Sequence, residues 1–159
     1  MQVKKVPMES LYELIAVQLQ NGGKANLVVT GSSMKPMLVE NRDMVVLEPI
    51  TRELVPGDIT LHRRENGRFV LHRIIRLTPE GYLLSGDNQW ILETVTREQM
   101  LAVVTGFTRK GISHTLQEPS YRLYRWAWVK LFCLRKLYIQ LRRKLSRFYR
   151  KLKYRRNNL

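Results

Sequence analysis

The chain has 159 residues, 44% hydrophobic and 26% charged, which is ordinary for a globular chain with one domain and an appendage. Its net charge is +15, but residues 1–119 hold 14 Lys and Arg against 13 Asp and Glu, whereas residues 120–159 hold the other 14 and no acid. The single cysteine, Cys133, excludes an internal disulfide, so nothing requires an oxidising compartment.

Residues 1–23 are predicted to form one amphipathic helix. Ser10 and Glu13 have the spacing of a capping box, and residues 21–23, Asn-Gly-Gly, supply a stop signal. The run is too short and too interrupted to span a membrane, and it lacks the small-residue cleavage site of a secretory signal. We expect its apolar face to dock on the following domain, with a shallow membrane contact as the alternative. That face contains Leu11, Leu14 and Ile15, with either Gln18 or Leu19 as its last member.

Residues 24–117 are predicted to form a β-rich domain, so the fold class is mainly β. Short β-branched and aromatic runs are separated by turn residues. The runs cover residues 26–30, 43–48, 58–63, 68–77, 81–86, 101–109 and 112–116. Asn66 and Gly67 predict a hairpin between two of them. Residues 94–100 are predicted to form a brief helix or turn before the last long strand.

An apolar strand over residues 26–30 leads into Gly-Ser-Ser-Met-Lys-Pro at residues 31–36. Gly31 allows a turn or the close approach of a substrate chain, and Pro36 fixes the exit from the turn. Such a turn would hold the Ser33 hydroxyl clear of a rigid sheet. A Gly-Ser-Ser run also occurs in ordinary turns, so a nucleophile at this position needs a base from elsewhere in the chain.

Two later segments supply a base and a carboxylate. His72 lies within the apolar run 69–76, and Asp87 follows the apolar run 82–86. A serine, a histidine and a carboxylate near predicted strands satisfy the roles of nucleophile, base and orienting acid. The combination predicts a hydrolytic site.

These segments resemble the type I signal peptidase family and its relatives among the self-cleaving repressors of the LexA type. The likeness covers about residues 26–108. Its first block is the nucleophile turn, formed by Gly31, Ser32, Ser33, Met34, Lys35 and Pro36. Its second block is the strand Val70–Ile75 with His72, and its third is the box formed by Gly86, Asp87 and Asn88. The resemblance implies a signal-peptidase/LexA-like β fold.

The resemblance also implies the roles of the site residues. Bacterial members and the repressors use a lysine base where this chain has His72, so the likeness is to the histidine branch. Arg73 cannot replace that lysine because a guanidinium stays protonated. Ser33 would be the nucleophile and His72 the base. Asp87 is our first choice for the orienting carboxylate, and Glu93, six residues later, is the second.

The resemblance implies a substrate as well: a leader or signal-type polypeptide with small residues before the cut. No cofactor is expected. Many signal peptidases bind the oxyanion with a serine two positions before the nucleophile, where this chain has Gly31. The oxyanion would then rest on the backbone N–H of Ser33, helped by Thr30 or Ser32. We also expect no spanning anchor before Ser33.

The other histidines, His62 and His114, are predicted to be surface or half-buried residues. With no Cys or His partner at ligand spacing, no zinc site is expected.

Residues 118–159 are predicted to form a basic amphipathic helical tail. Apolar residues recur at spacings of three and four, and Lys and Arg fill much of the remainder. The apolar positions are Ala127, Leu131, Leu134, Tyr138, Leu141, Leu145, Phe148 and Leu152. This pattern suits an anionic membrane surface, with residues 120–159 lying in the interface. The protein is then peripherally membrane-associated and otherwise cytoplasmic. A protein partner, a second copy and nucleic acid are the alternatives for the tail.

The alternative function is a LexA-like regulatory or non-catalytic module with a tail that binds nucleic acid. Against it, no helix-turn-helix pattern precedes the β region, His72 replaces the repressors' lysine, and no Ala-Gly cleavage pair occurs.

Overall fold

The structure, a computed structural model, describes residues 15–19 and 21–157. Most of the predicted N-terminal helix, including its capping box, lies outside these residues. Residues 15–19 are helical and are called α1. Gly22 has φ +70° and donates its N–H to the Leu19 carbonyl at 2.9 Å, which is the conformation in which a glycine ends a helix. Ile15 and Leu19 are buried in the core, so this part of the helix packs against the domain.

Within the described residues, eight strands form one antiparallel sheet, which confirms the mainly β fold class. The strands are β1 Ala25–Val28, β2 Met44–Glu48, β3 Ile59–Arg63, β4 Phe69–Thr78, β5 Gly81–Ser85, β6 Glu93–Val95, β7 Met100–Arg109 and β8 Ile112–Thr115. Their order is β1-β2-β7-β3-β4-β5-β6, and β8 pairs with β7. The hairpin predicted at Asn66 and Gly67 joins β3 to β4.

The prediction of a helix or turn over residues 94–100 was wrong at its start. Thr94 and Val95 belong to β6, where Val95 pairs with Tyr82 of β5. Both residues are β-branched and fit a pleated surface, and Val95 is buried. A turn does follow, and Met100 then begins β7.

The tail forms two helices rather than one. Helix α2 covers Pro119–Lys130 and helix α3 covers Phe132–Asn157, with Leu131 between them. Pro119 suits the first turn of α2 because an N–H at this position has no partner within the helix. None of the helices that the structure describes has the length and hydropathy needed to cross a bilayer.

Two clusters of buried apolar side chains form the core. The larger cluster joins α1, β1, β2, β7 and the segment after β1, and it also includes Tyr121 of α2. The smaller cluster lies against β4, β5 and β6. The segment between β1 and β2 is therefore held by the core, although it has no regular secondary structure.

Candidate active site

Ser33 lies on a turn that follows β1. Gly31, two residues earlier, has φ +78°, a conformation that glycine adopts without strain from a Cβ atom. Met34, Met37 and Leu38 are all buried after it, whereas Ser33 itself is only half-buried. The apolar side chains anchor the turn, and the serine remains accessible.

The rest of the turn is closed by local contacts. The peptide bond between Lys35 and Pro36 is cis. Ser32 is exposed, and its carbonyl accepts hydrogen bonds from Lys35 N at 3.3 Å and from Asn88 Nδ2 at 3.1 Å. Asn88 N donates to the Ser33 carbonyl at 2.7 Å. Asn88 thus holds both serines from the other side of the site.

Ser33 and His72 meet at Gly86. A Cβ atom added to Gly86 would lie 2.6 Å from the Ser33 carbonyl oxygen, 3.0 Å from Ser33 Cβ and 3.1 Å from His72 Nε2. The serine and the imidazole therefore face one another across the space that a side chain at residue 86 would fill. Among the described residues, the Ser33 hydroxyl has no hydrogen bond to His72. Rotation of the serine side chain is the movement that would close the pair.

The two side chains also line one cavity, of about 220 Å³. Most of its wall is apolar and comes from β1, β3 and the first half of β4. The lining residues are Leu27, Val29, Thr30, Ser33, Met34, Leu61, Arg64, Phe69, Val70, Leu71, His72 and Gln89.

His72 is buried on β4, and its Nδ1 is hydrogen-bonded to Glu93 Oε1. An ionised carboxylate only accepts, so Nδ1 carries the proton and Nε2, on the Ser33 side, has the lone pair. Burial lowers the pKa of His72 below 6.5, although the hydrogen bond and charge of Glu93 oppose this effect. The imidazole is therefore neutral at neutral pH, which is the form that can accept a proton.

Glu93, at the start of β6, contacts three basic side chains. Arg64 Nε donates to Glu93 Oε2 at 2.6 Å, and His72 donates to Oε1. His62 Nε2 lies 3.3 Å from Oε1 without the alignment of a hydrogen bond. Burial raises the pKa of Glu93, but these three contacts outweigh it and the net pKa lies well below its usual value. Glu93 is thus an ionised carboxylate beside the imidazole.

Asp87 was our first choice for the partner of His72, and the structure corrects that choice. The Asp87 carboxylate accepts hydrogen bonds from Arg73 Nε and Nη2, both at 2.8 Å, and from Tyr124 Oη at 3.0 Å. Arg73 follows His72 on β4, and successive residues of a strand point to opposite faces. Asp87 therefore lies on the opposite face from the imidazole and forms a buried ion pair there.

The predicted oxyanion donors lie near the nucleophile. Among the described residues, no hydrogen bond runs from Ser33 N to a protein acceptor, and Thr30 lines the same cavity as Ser33. The backbone N–H of Ser33 is therefore available to a substrate oxygen.

In the part of the chain that the structure describes, one group of side chains could hold a metal ion. His62, His72 and Glu93 each offer one ligand atom, and these atoms lie within 4.8 Å of one another. Sequence spacing missed this group because β3 and β4 pair Thr60 with His72, which places His62 diagonally across from His72 on the same face. The Arg64 guanidinium on Glu93 opposes the entry of a second cation. The contacts with Glu93 favour an acid–base arrangement.

Several residues near the site were not predicted. His62 was expected at the surface or half-buried but is fully buried, and Arg64 was given no role. The Asn66-Gly67 hairpin was the available signal, because its register places residues 62 and 72 on one face. Contacts from α2 and α3 had no sequence signal, since they depend on how the helices pack.

A β domain with a serine and an imidazole at one cavity, and with a carboxylate hydrogen-bonded to that imidazole, has the arrangement of a serine-peptidase-like protein. The model of the Peptidase S24-like family matches residues 5–106, well over half of the chain. The chain belongs to the Peptidase S24-like family, which supports the wider likeness to S24/LexA-like peptidases. No curated protein matches the chain. The family match ends before α2 and α3.

Proposed function

We propose that this protein is a serine endopeptidase of the signal-peptidase type, in which Ser33 attacks the peptide carbonyl. The observation that carries the proposal is the juxtaposition at Gly86 of the Ser33 side chain with His72 Nε2. A second support is the hydrogen bond that joins His72 Nδ1 to Glu93. Together they supply a nucleophile, a neutral base and an orienting carboxylate.

In the proposed mechanism, His72 Nε2 takes the proton from Ser33 as its oxygen attacks the carbonyl carbon. His72 then gives that proton to the leaving amine. Glu93 keeps the other nitrogen protonated and stabilises the imidazolium. Glu93 takes this role rather than Asp87 because the Asp87 carboxylate is occupied by Arg73. The N–H of Ser33 receives the developing oxyanion, with Thr30 or Ser32 as helpers.

The substrate is proposed to be a leader or signal-type polypeptide bound in an extended form. Among the described residues, strand β1 is at an edge of the sheet, and residues 70–72 of β4 pair with β3 alone. Both segments adjoin the cavity, and each offers a strand edge to which an extended peptide can add. A cavity of about 220 Å³ with apolar walls suits small side chains before the cut.

The test is covalent labelling with a phosphonate probe, in which the serine oxygen attacks phosphorus, the probe's leaving group departs, and the active serine becomes phosphonylated. We expect Ser33 to be labelled, no labelling in Ser33→Ala and much slower labelling in His72→Ala. Ser113→Ala, which removes an exposed hydroxyl from β8, should be labelled at the original rate. Unchanged labelling of His72→Ala would remove the base assignment.

We also propose that the tail binds an anionic membrane surface. Four leucines of α3 lie on one side at spacings of three and four and are about half or more exposed: Leu134, Leu137, Leu141 and Leu145. The buried side of the helix instead carries Arg135 and Ile139. Residues 120–159 hold 14 Lys and Arg and no acid, so the exposed apolar row of α3 lies in a strongly basic tail. Such a tail complements anionic lipid, where each such charge contributes about 1 kcal/mol.

Binding to anionic vesicles, zwitterionic vesicles and duplex DNA across a salt series tests this proposal. We expect binding to anionic vesicles and a large loss in the double variant Leu137→Asp, Leu141→Asp. The double variant Leu77→Asp, Ile112→Asp, which adds the same two charges at exposed positions of β4 and β8, is the control. Tighter binding to DNA than to anionic vesicles would favour the regulatory alternative instead.

A further inference from the structure

The C-terminal helices contact the segment at residues 86–89 directly. Arg135 of α3 is buried, and its Nη1 donates to the Gly86 carbonyl at 3.0 Å and to the Gln89 carbonyl at 3.4 Å. Nη2 of Arg135 donates to the Trp128 carbonyl at 2.5 Å, and the guanidinium lies 4.7 Å from the centre of the Phe132 ring. A buried cation with this many partners fixes the start of α3 against residues 86–89, where Gly86 adjoins both Ser33 and His72.

A second arginine of α3 reaches the same segment two turns later. Arg142 Nη2 donates to Asn88 Oδ1 at 2.5 Å. The other side of the same carboxamide, Asn88 Nδ2, donates to the Ser32 carbonyl at 3.1 Å, and Asn88 N donates to the Ser33 carbonyl at 2.7 Å. A continuous row of hydrogen bonds therefore leads from α3 to the nucleophile turn. The carboxamide has both its donor and its acceptor engaged, so its orientation is fixed.

We propose that Arg142 is a positioning residue for Ser33, acting through the side chain of Asn88. The inference rests on the proposed peptidase function and extends it to a helix outside the region that the family model matches. In the described part of the chain, no hydrogen bond or ion pair joins Arg142 to Ser33 or His72. It holds Asn88 against the turn, and the turn holds the Ser33 side chain on the same side of Gly86 as His72 Nε2.

The first test compares the probe-labelling kinetics of Arg142→Ala and Arg142→Lys with those of wild type. Loss of the hydrogen bond should lower the maximal labelling rate about tenfold or more while leaving the half-saturating probe concentration unchanged, because a small misplacement of a reacting group affects the chemical step. Lysine keeps one donor and should restore part of the rate. Arg76→Ala, which removes a charge from an exposed site on β4, is the matched control. A rate for Arg142→Ala equal to that of Arg76→Ala overturns the proposal.

A double-mutant cycle identifies the route. If Arg142 acts through Asn88, adding Arg142→Ala to Asn88→Ala should change the labelling rate very little. If the fold-loss of labelling rate in the double variant equals the product of the two single losses, Arg142 acts elsewhere and the proposal is overturned. Thermal unfolding of every variant establishes that the rates are compared between folded proteins.

Hydrogen exchange separates this inference from the peptidase proposal. The backbone N–H of Asn88 is protected by its hydrogen bond to the Ser33 carbonyl. This N–H should exchange faster in Arg142→Ala than in wild type and Arg76→Ala. Unchanged exchange overturns the positioning role. Wild type that is not labelled at Ser33 overturns the peptidase proposal, and the exchange comparison alone then decides the positioning of the turn.

Discussion

Arg73 and Asp87 form a bidentate ion pair in which both side chains are fully buried. Asp87→Asn would leave a buried guanidinium without its counter-charge, and such a loss costs about 3–5 kcal/mol of folding free energy. Urea denaturation should therefore show a strongly reduced midpoint. Glu80→Gln, at an exposed site before β5, should change the free energy of unfolding by only about 0.5 kcal/mol or less. Equal stability of Asp87→Asn and wild type would contradict the structural role.

Glu93→Gln should impair the chemical step without a comparable loss of stability. A glutamine amide can donate to His72 Nδ1, which favours the tautomer with a protonated Nε2 and no base facing Ser33. By analogy with the serine triad, we expect about a 10²–10⁴-fold lower kcat on a cleavable peptide. Glu98→Gln, an exposed change in the following turn, is the control. A folded Asp87→Asn variant that loses activity while Glu93→Gln retains it would reverse the assignment.

The pH dependence should follow His72. Its pKa is lowered from 6.5, chiefly by burial, so protonation removes the base only in more acidic solution. The labelling rate should be constant at neutral pH and fall as pH decreases through a midpoint below 6.5. Because the unfolded chain binds this proton at higher pH, His72 also makes stability rise with pH in the window below 6.5. A midpoint above 6.5, by kinetics or by NMR titration of His72, would contradict this prediction.

Removal of metal should not affect labelling of Ser33. His62, His72 and Glu93 could supply three ligand atoms, but Arg64 is paired with Glu93 at 2.6 Å and repels a cation. Dialysis against a chelator should leave the labelling rate unchanged. Activity that is lost on chelation and restored by zinc would assign these residues to a metal centre.

Gly86→Ala should displace the nucleophile. The new Cβ atom would meet the Ser33 carbonyl oxygen at 2.6 Å, and this backbone atom cannot move without shifting the turn. Overpacking of this kind costs about 1–3 kcal/mol, and we expect at least a tenfold slower labelling rate. Gly106→Ala on β7 is the matched control, since its Cβ atom would meet neighbours at 3.4 Å or more. Equal rates for the two variants would contradict the geometry at residue 86.

The sequence predicted the sheet well because turn residues and apolar runs are local signals. Asn66 and Gly67 predicted the β3–β4 hairpin, and the register of that hairpin determines where His72 lies. The tail was predicted as one helix and divides at Leu131. The β6 strand was missed because three residues give too short a pattern, although Thr94 and Val95 are β-branched.

The choice between the carboxylates depended on long-range packing. Asp87 matched the family box by position, but it pairs with Arg73, whose side chain points away from the imidazole. Glu93 reaches His72 because β6 pairs with β5, so that residue 93 returns toward β4. A sequence pattern gives the residue types and their order. The pairing of charges across strands decides which carboxylate meets the base.

Trp128 offers an optical reporter of helix docking. Its ring stacks on Tyr124 at 4.5 Å between centroids, and its indole N–H donates to the Asp87 carbonyl at 3.0 Å. Trp126, two residues earlier, is exposed. Separation of α2 from the sheet would change the emission spectrum and quenching of Trp128, whereas Trp126 already faces solvent. Variants in which Trp90 and one of these two tryptophans are replaced by Phe would therefore allow fluorescence to follow the docked and undocked states of α2.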